Sequence, residues 1–100
     1  MILHTINKSA FDKNSLDACL RSAKEGCAIL FIEDGVYSAM DNTSASAKVK
    51  EAMGKFKIFA LTPDLVARGV EGRVIDGIEQ VDYAGFVNLA AEYTCVQSWL

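Results

Sequence analysis

The sequence predicts a small three-layer α/β/α domain with a mostly parallel sheet of about five strands and helices on both faces. Three observations predict it. Cys27–Ile32 is an uninterrupted apolar run, opened by Gly26 and closed by Glu33, Asp34 and Gly35. A strand apolar on both faces needs cover above and below, the condition of a parallel sheet. Strand-like runs also alternate along the chain with segments of helical periodicity. Finally, 100 residues with 51% apolar content and 1 proline suit a single domain over 1–100, small enough that self-association would be an ordinary remedy for a modest core.

Taken in order, Ile2–Ile6 reads as the first strand. Asn14 suits the N-cap of a helix over 15–25, with Asp17 completing an imperfect capping box. Leu16, Cys19, Leu20 and Ala23 follow the i, i+3, i+4, i+7 spacing of a buried stripe, and Gly26 suits the C′ position. After the second strand, Asp34 suits the N-cap of a short helical piece near 36–40. In open α/β sheets the carboxyl ends of strands are the usual working edge, which makes Asp34 and Gly35 candidate contact residues. A polar turn over 41–46 leads to a helix over 47–53, ended by Gly54.

Phe56–Leu61 is the third strand. Thr62-Pro63 then reads as an N-cap followed by proline at the first helical position, with Gly69 closing the helix. Within 72–81, Arg73–Ile75 and Ile78–Val81 each suit a short strand. Asp82 suits the cap of the last helix, whose buried side is expected to hold Tyr83, Phe86, Val87 and Ala90. Val96–Leu100 reads as the closing strand.

Composition and motifs exclude several classes of function. With 10 basic and 13 acidic side chains there is no general field for nucleic acid. No apolar run approaches the ~20 residues of a membrane span. Asp12, Lys13 and Asp17 interrupt any export-signal core, so a cytoplasmic location is expected. No two glycines stand two apart, which removes the dinucleotide fingerprint. Gly72 and Gly77 have phosphate-loop spacing but are followed by Ile78-Glu79. The stretch 5–8 lacks the carboxylates of a phosphoacceptor domain, and a serine hydrolase would have only His4 and no nucleophile elbow. Cys19, Cys27 and Cys95 form no CxxC pair, so free thiols are expected, with no metal site and no cofactor.

The remaining candidates are few. Cys19 is the one residue suited to covalent sulfur chemistry, although its place on the apolar stripe reads first as a core cysteine. His4 reads as a histidine satisfied by hydrogen bonds near the sheet end and, in the other reading, as a binding or interface residue. Lys48, Lys50, Lys55 and Lys57 around Glu51 suit a solvated face, or a docking patch for an acidic partner. Trp99, the only tryptophan, suits either a core plug or, with Leu100, an interface anchor.

Several stretches together resemble the TusB/DsrH sulfur-relay family. They are Leu3-His4-Thr5, Glu33-Asp34-Gly35-Val36, Asp64-Leu65-Val66-Ala67-Arg68-Gly69, Val81-Asp82-Tyr83 with Phe86-Val87, and Val96-Gln97-Ser98-Trp99. They span nearly the whole chain. Asn7-Lys8-Ser9 and the segment 14–20, with Cys19, look more like the DsrH branch. The resemblance implies a DsrE/F/H-like fold and a heterohexamer with TusC/DsrF-like and TusD/DsrE-like sister subunits. It further implies that the principal sulfur-accepting cysteine lies on the TusD/DsrE-like sister, and that sulfur passes to a TusE/DsrC-like carrier. The destination would be tRNA wobble 2-thiouridine or dissimilatory sulfur oxidation. This chain would then be an accessory, partner-binding subunit with Cys19 as a secondary persulfide site. The alternatives are a sulfurtransferase component acting covalently through Cys19, and a free-standing homo-oligomeric binding module. Solvent access of Cys19 separates the first two.

Overall fold

The computed structural model describes residues 1–100. Five strands, β1 (Ile2–Ile6), β2 (Ala28–Phe31), β3 (Lys57–Leu61), β4 (Glu79–Val81) and β5 (Cys95–Trp99), form one sheet in the order β4-β3-β2-β1-β5. Every neighbouring pair is parallel. Four α-helices, α1 (Ser15–Ser22), α2 (Ser46–Ala52), α3 (Thr62–Ala67) and α4 (Tyr83–Glu92), and 3₁₀ helices over Glu33–Ala39 and Glu71–Arg73 make the connections.

The topology follows from the handedness of parallel crossovers. From β1 to β4 the chain steps one way across the sheet, with its connections on one face. To return to the free side of β1, α4 must cross the opposite face. The two layers are therefore unequal. The first face buries a core of 17 residues, among them Ile6, Ile29, Phe31, Ile58, Leu16, Val49 and Leu65. The second buries 5, Leu3, Ala28, Leu30 and Phe59 of the sheet with Leu89 of α4, and Phe86, Ala90 and Tyr93 pack against them partly buried. Strand β2 shows why its run is unbroken: Ile29 and Phe31 enter the first core, Ala28 and Leu30 the second.

Local chemistry moves several expected boundaries. Helix α1 stops at Ser22, because Ala23 takes an extended backbone, and Asn14 makes no side-chain cap bond. Gly26 serves the turn into β2 instead, at φ +95°, where the Cys27 N–H donates to the Lys24 carbonyl. Thr62 is already the first residue of α3, and Leu61 holds the cap position. Arg73–Ile75 is not a strand. A 3₁₀ turn ends there, and Val74 makes a single antiparallel bridge to Met40. Strand β5 begins one residue before the expected start, at Cys95.

Asp82 caps α4 as expected, its carboxylate accepting the Gly85 N–H at 2.8 Å. The face that α4 buries differs from expectation. Phe86, Leu89, Ala90 and Tyr93 pack on the sheet, whereas Tyr83 is 61% and Val87 67% exposed. This helix is apolar around most of its circumference, so periodicity alone does not select the side that packs. No helix is long and apolar enough to cross a membrane.

Candidate functional site

The carboxyl edge of the sheet is built around the turn after β2. Ile32 extends the ladder by donating its N–H to the Ile6 carbonyl at 3.0 Å. Glu33 then enters the left-handed region at φ 50°, an unusual place for a side chain of this size. Its N–H is held there by the Asp64 carboxylate at 2.7 Å. Asp34 does not cap the following helix: the cap position belongs to Ile32, and no side-chain cap bond forms. The 3₁₀ segment begins at Glu33, so Asp34 already lies inside its first turn. Its carboxylate instead accepts from Arg68 Nε at 3.0 Å, while Arg68 Nη1 donates to the Asp64 carbonyl at 3.3 Å.

Asp34, Arg68, Asp64 and the Glu33 backbone thus form one charged bracket between the turn after β2 and helix α3. Gly35 brings that turn against β1, where any side chain would meet the Ile6 carbonyl. Of these residues, the pattern of strand ends pointed to Asp34 and Gly35; Arg68 and Asp64 were missed as partners. Their i, i+4 spacing on α3 was the available signal. The bracket offers exposed charge for contact. It contains no thiol, hydroxyl or imidazole and hence no nucleophile with a base beside it.

The thiols lie elsewhere. Cys19 is fully buried in the larger core. Burial, followed by the neighbouring Cys27, pushes its pKa up to about 12. It is therefore un-ionised near neutral pH and shut off from solvent. Cys27 is buried with its Sγ 3.9 Å from Met1 Sδ, and Cys95 is exposed on β5; all three thiols are free. No group of three or more His, Cys, Asp or Glu side chains is arranged to hold a metal ion.

His4 and Trp99 meet across β1 and β5. Trp99 Nε1–H donates to His4 Nδ1 at 3.0 Å. Accepting at Nδ1 makes the neutral ring the Nε2–H tautomer, and burial lowers the pKa of His4 from its ordinary value. Only half of the expected satisfaction is met, because Nε2 is buried without a partner. Trp99 packs at the margin of the larger core, whereas Leu100 projects its side chain into solvent and accepts the Ser15 hydroxyl at its carbonyl, 3.1 Å away. None of the four lysines forms an ion pair with Glu51, although Lys48 and Lys55 line the same groove as that carboxylate. Lys48 pairs with Asp17 and Lys50 with Asp41, and all four are exposed.

Opposite the main helical layer, Tyr83 and Val87 of α4 and Val96 of β5 leave apolar surface uncovered. An all-parallel sheet, a charged carboxyl edge, a sealed Cys19 thiol and an uncovered apolar face define a small α/β domain. The comparisons narrow this class. A family model described as DsrH like protein matches residues 8–96. Protein TusB of Escherichia coli O81 (strain ED1a) is 34% identical over 98 residues, covering 98% of this chain and 100% of that protein. Protein TusB of Shigella flexneri is 33% identical over the same span.

The chain belongs to the TusB/DsrH family. Among solved structures, the ychN protein of E. coli has the same fold, with a TM-score of 0.84 at 13% identity over 97% of both chains. Protein MTH1491 of Methanobacterium thermoautotrophicum shares it at a TM-score of 0.71 and 19% identity, covering 97% of this chain and 96% of that one.

Proposed function

We propose that this chain is an accessory subunit of a cytoplasmic sulfur-relay complex. In this reading it assembles with TusC/DsrF-like and TusD/DsrE-like sister subunits, and the complex hands persulfide sulfur to a TusE/DsrC-like carrier. The full-length match to TusB carries the reading, since 34% identity over 98 residues leaves no part of the relative unaccounted for. That match also favours tRNA wobble thiolation over sulfur oxidation as the destination. Two features of the chain support a role through contact: the uncovered apolar residues of α4 and β5, and the exposed Asp34–Arg68 pair on the carboxyl edge.

The burial of Cys19 supports the accessory role over a covalent one. Persulfide formation needs a thiolate that can meet its donor, and this thiol is sealed and strongly held in its neutral form. The sister subunit's cysteine is the better carrier.

The experiment has two arms. The chain is coexpressed with its sister subunits and examined by native mass spectrometry, and it is expressed in cells lacking their own TusB, with tRNA 2-thiouridine measured by mass spectrometry. Assembly together with restored 2-thiouridine is expected, and Cys19→Ser should preserve both. A chain that stays apart from its sisters would sink the relay reading. Labelled sulfur accumulating on Cys19, with transfer lost in Cys19→Ser, would replace the accessory role by the covalent one.

A further inference from the structure

Strand β5 closes one side of the sheet, pairing with β1 along one edge and with no strand along the other. We propose that this free edge is the interface between two copies of the chain, whose β5 strands pair antiparallel about a two-fold axis through Gln97. Two sheets then continue as one. The inference stands apart from the sulfur-relay reading, because it concerns the chain with itself and needs neither a sister subunit nor sulfur chemistry.

The argument begins with the backbone. An edge strand turns alternate N–H and C=O groups away from its neighbour, and here Cys95, Val96, Gln97 and Ser98 are all exposed. Folded proteins blunt such an edge with charge, proline, a bulge or very short length. β5 carries none of these devices. It is 5 residues long and follows β1 residue for residue, and no charged side chain occurs between Glu92 and Leu100. The opposite edge is protected, since β4 has only 3 residues and opens on the exposed Glu79.

A second observation lies on the face of the strand. Leu3 of β1 is fully buried, whereas Val96, beside it in register, is 44% exposed and lies outside the core that α4 covers. Burial of the second face thus stops one strand short of the edge. An apolar side chain is left where a further strand would shelter it.

These features select the occupant. Strand addition supplies main-chain partners to an open edge. A second β5 matches the first in length and brings no charge, and a two-fold axis closes the contact so that neither copy keeps this edge open. Head-to-tail addition of β4 would pair fewer residues, place Glu79 in the contact and leave an open edge at each end. Full antiparallel overlap of β5 with its own copy puts the axis at the middle residue, Gln97. Gln97 then faces Gln97 of the second copy, amide to amide, and Val96 lies beside Ser98 of the second copy. A contact centred on one strand is small, so the dimer is reversible.

The full chain is followed by sedimentation equilibrium from micromolar to millimolar concentration, with reductant present so that Cys95 stays a thiol. A reversible monomer–dimer equilibrium is expected, and the outward amides of 95–99 should exchange with solvent more slowly as the dimer fills. Gln97→Lys sets two ammonium groups opposite each other across the axis, and Gln97→Glu two carboxylates; each should weaken the dimer at least tenfold. Gln97 is exposed, so both changes suit the fold. An equimolar mixture of the two variants should recover the dimer, because the axis then joins opposite charges, and recovery shows that both variants are folded. A chain that stays monomeric at millimolar concentration overturns the proposal. So does a dimer that neither variant weakens, or a mixture that associates no better than its components.

Discussion

Gly35 lies against the main chain of Ile6 so closely that a Cβ on it would fall 2.0 Å from the Ile6 carbonyl oxygen. That oxygen is also held by the Ile32 N–H, so neither side of the contact yields cheaply. Gly35→Ala should therefore cost about 1–3 kcal/mol by overpacking. Urea denaturation checks the value, and a change near zero would show that the turn after β2 is free to lift away from β1.

The two aspartates of the charged bracket should differ. Asp34 is largely exposed and only pairs with Arg68, so Asp34→Ala should cost less than about 1 kcal/mol while weakening assembly with partner subunits. Asp64 also holds the left-handed Glu33 by its backbone N–H, so Asp64→Ala should cost about 1–2 kcal/mol. Equal costs in parallel denaturation curves would mean that Asp64 does not hold the Glu33 conformation.

The Cys19 thiol gives stability a pH dependence on the alkaline side. Its value rises from 9.0 to about 12 on folding, so the unfolded chain loses this proton first. Below about pH 9 both states are protonated and the contribution is complete. Between about 9 and 12 stability falls with rising pH, by up to about 1.4 kcal/mol per unit from this group. Because other groups titrate there too, the readout is the difference in slope between the parent and Cys19→Ala. At pH 8, alkylation followed by peptide mass spectrometry should find Cys95 modified first and Cys19 protected until the chain unfolds.

The outward side of α4 offers a separate test of assembly. Tyr83→Ser combined with Val87→Ser alters two exposed side chains and should change the stability of the isolated chain by no more than about 1 kcal/mol. Association with sister subunits should fall sharply in native mass spectrometry. Unchanged association would move the contact surface elsewhere on the molecule.

Much of the architecture was legible from one-dimensional signals. The Cys27–Ile32 run announced a strand covered on both faces, and Thr62-Pro63 and Asp82 marked helix starts within a residue. The errors share a physical origin. Asp34 has the right chemistry for a cap, but its carboxylate meets a guanidinium 34 residues away, and local spacing carries no record of that partner. Tyr83 and Val87 sit on an almost wholly apolar helix, where periodicity gives no preferred side. The unmet donor of His4 appears only when Trp99, 95 residues later, arrives beside it. At the candidate site, strand ends and residue types pointed to Asp34 and Gly35; the long-range pairing of Asp34 with Arg68 came from the fold.

Strand β5 lies beside β1, with Ile2 opposite Cys95 and Ile6 opposite Trp99. On the ribosome β1 is made well before β5 and must therefore wait for it. Until residue 99 has emerged, β1 presents a row of unpaired backbone groups along one side. Contacts at this sequence separation slow folding, because loop closure precedes the reward from pairing. During that interval the open side of β1 can accept a β5 strand from another nascent chain, a route to strand-exchanged dimers. If the proposed sister subunits bind the chain as it is made, yields should rise more on coexpression with them than on slower expression alone.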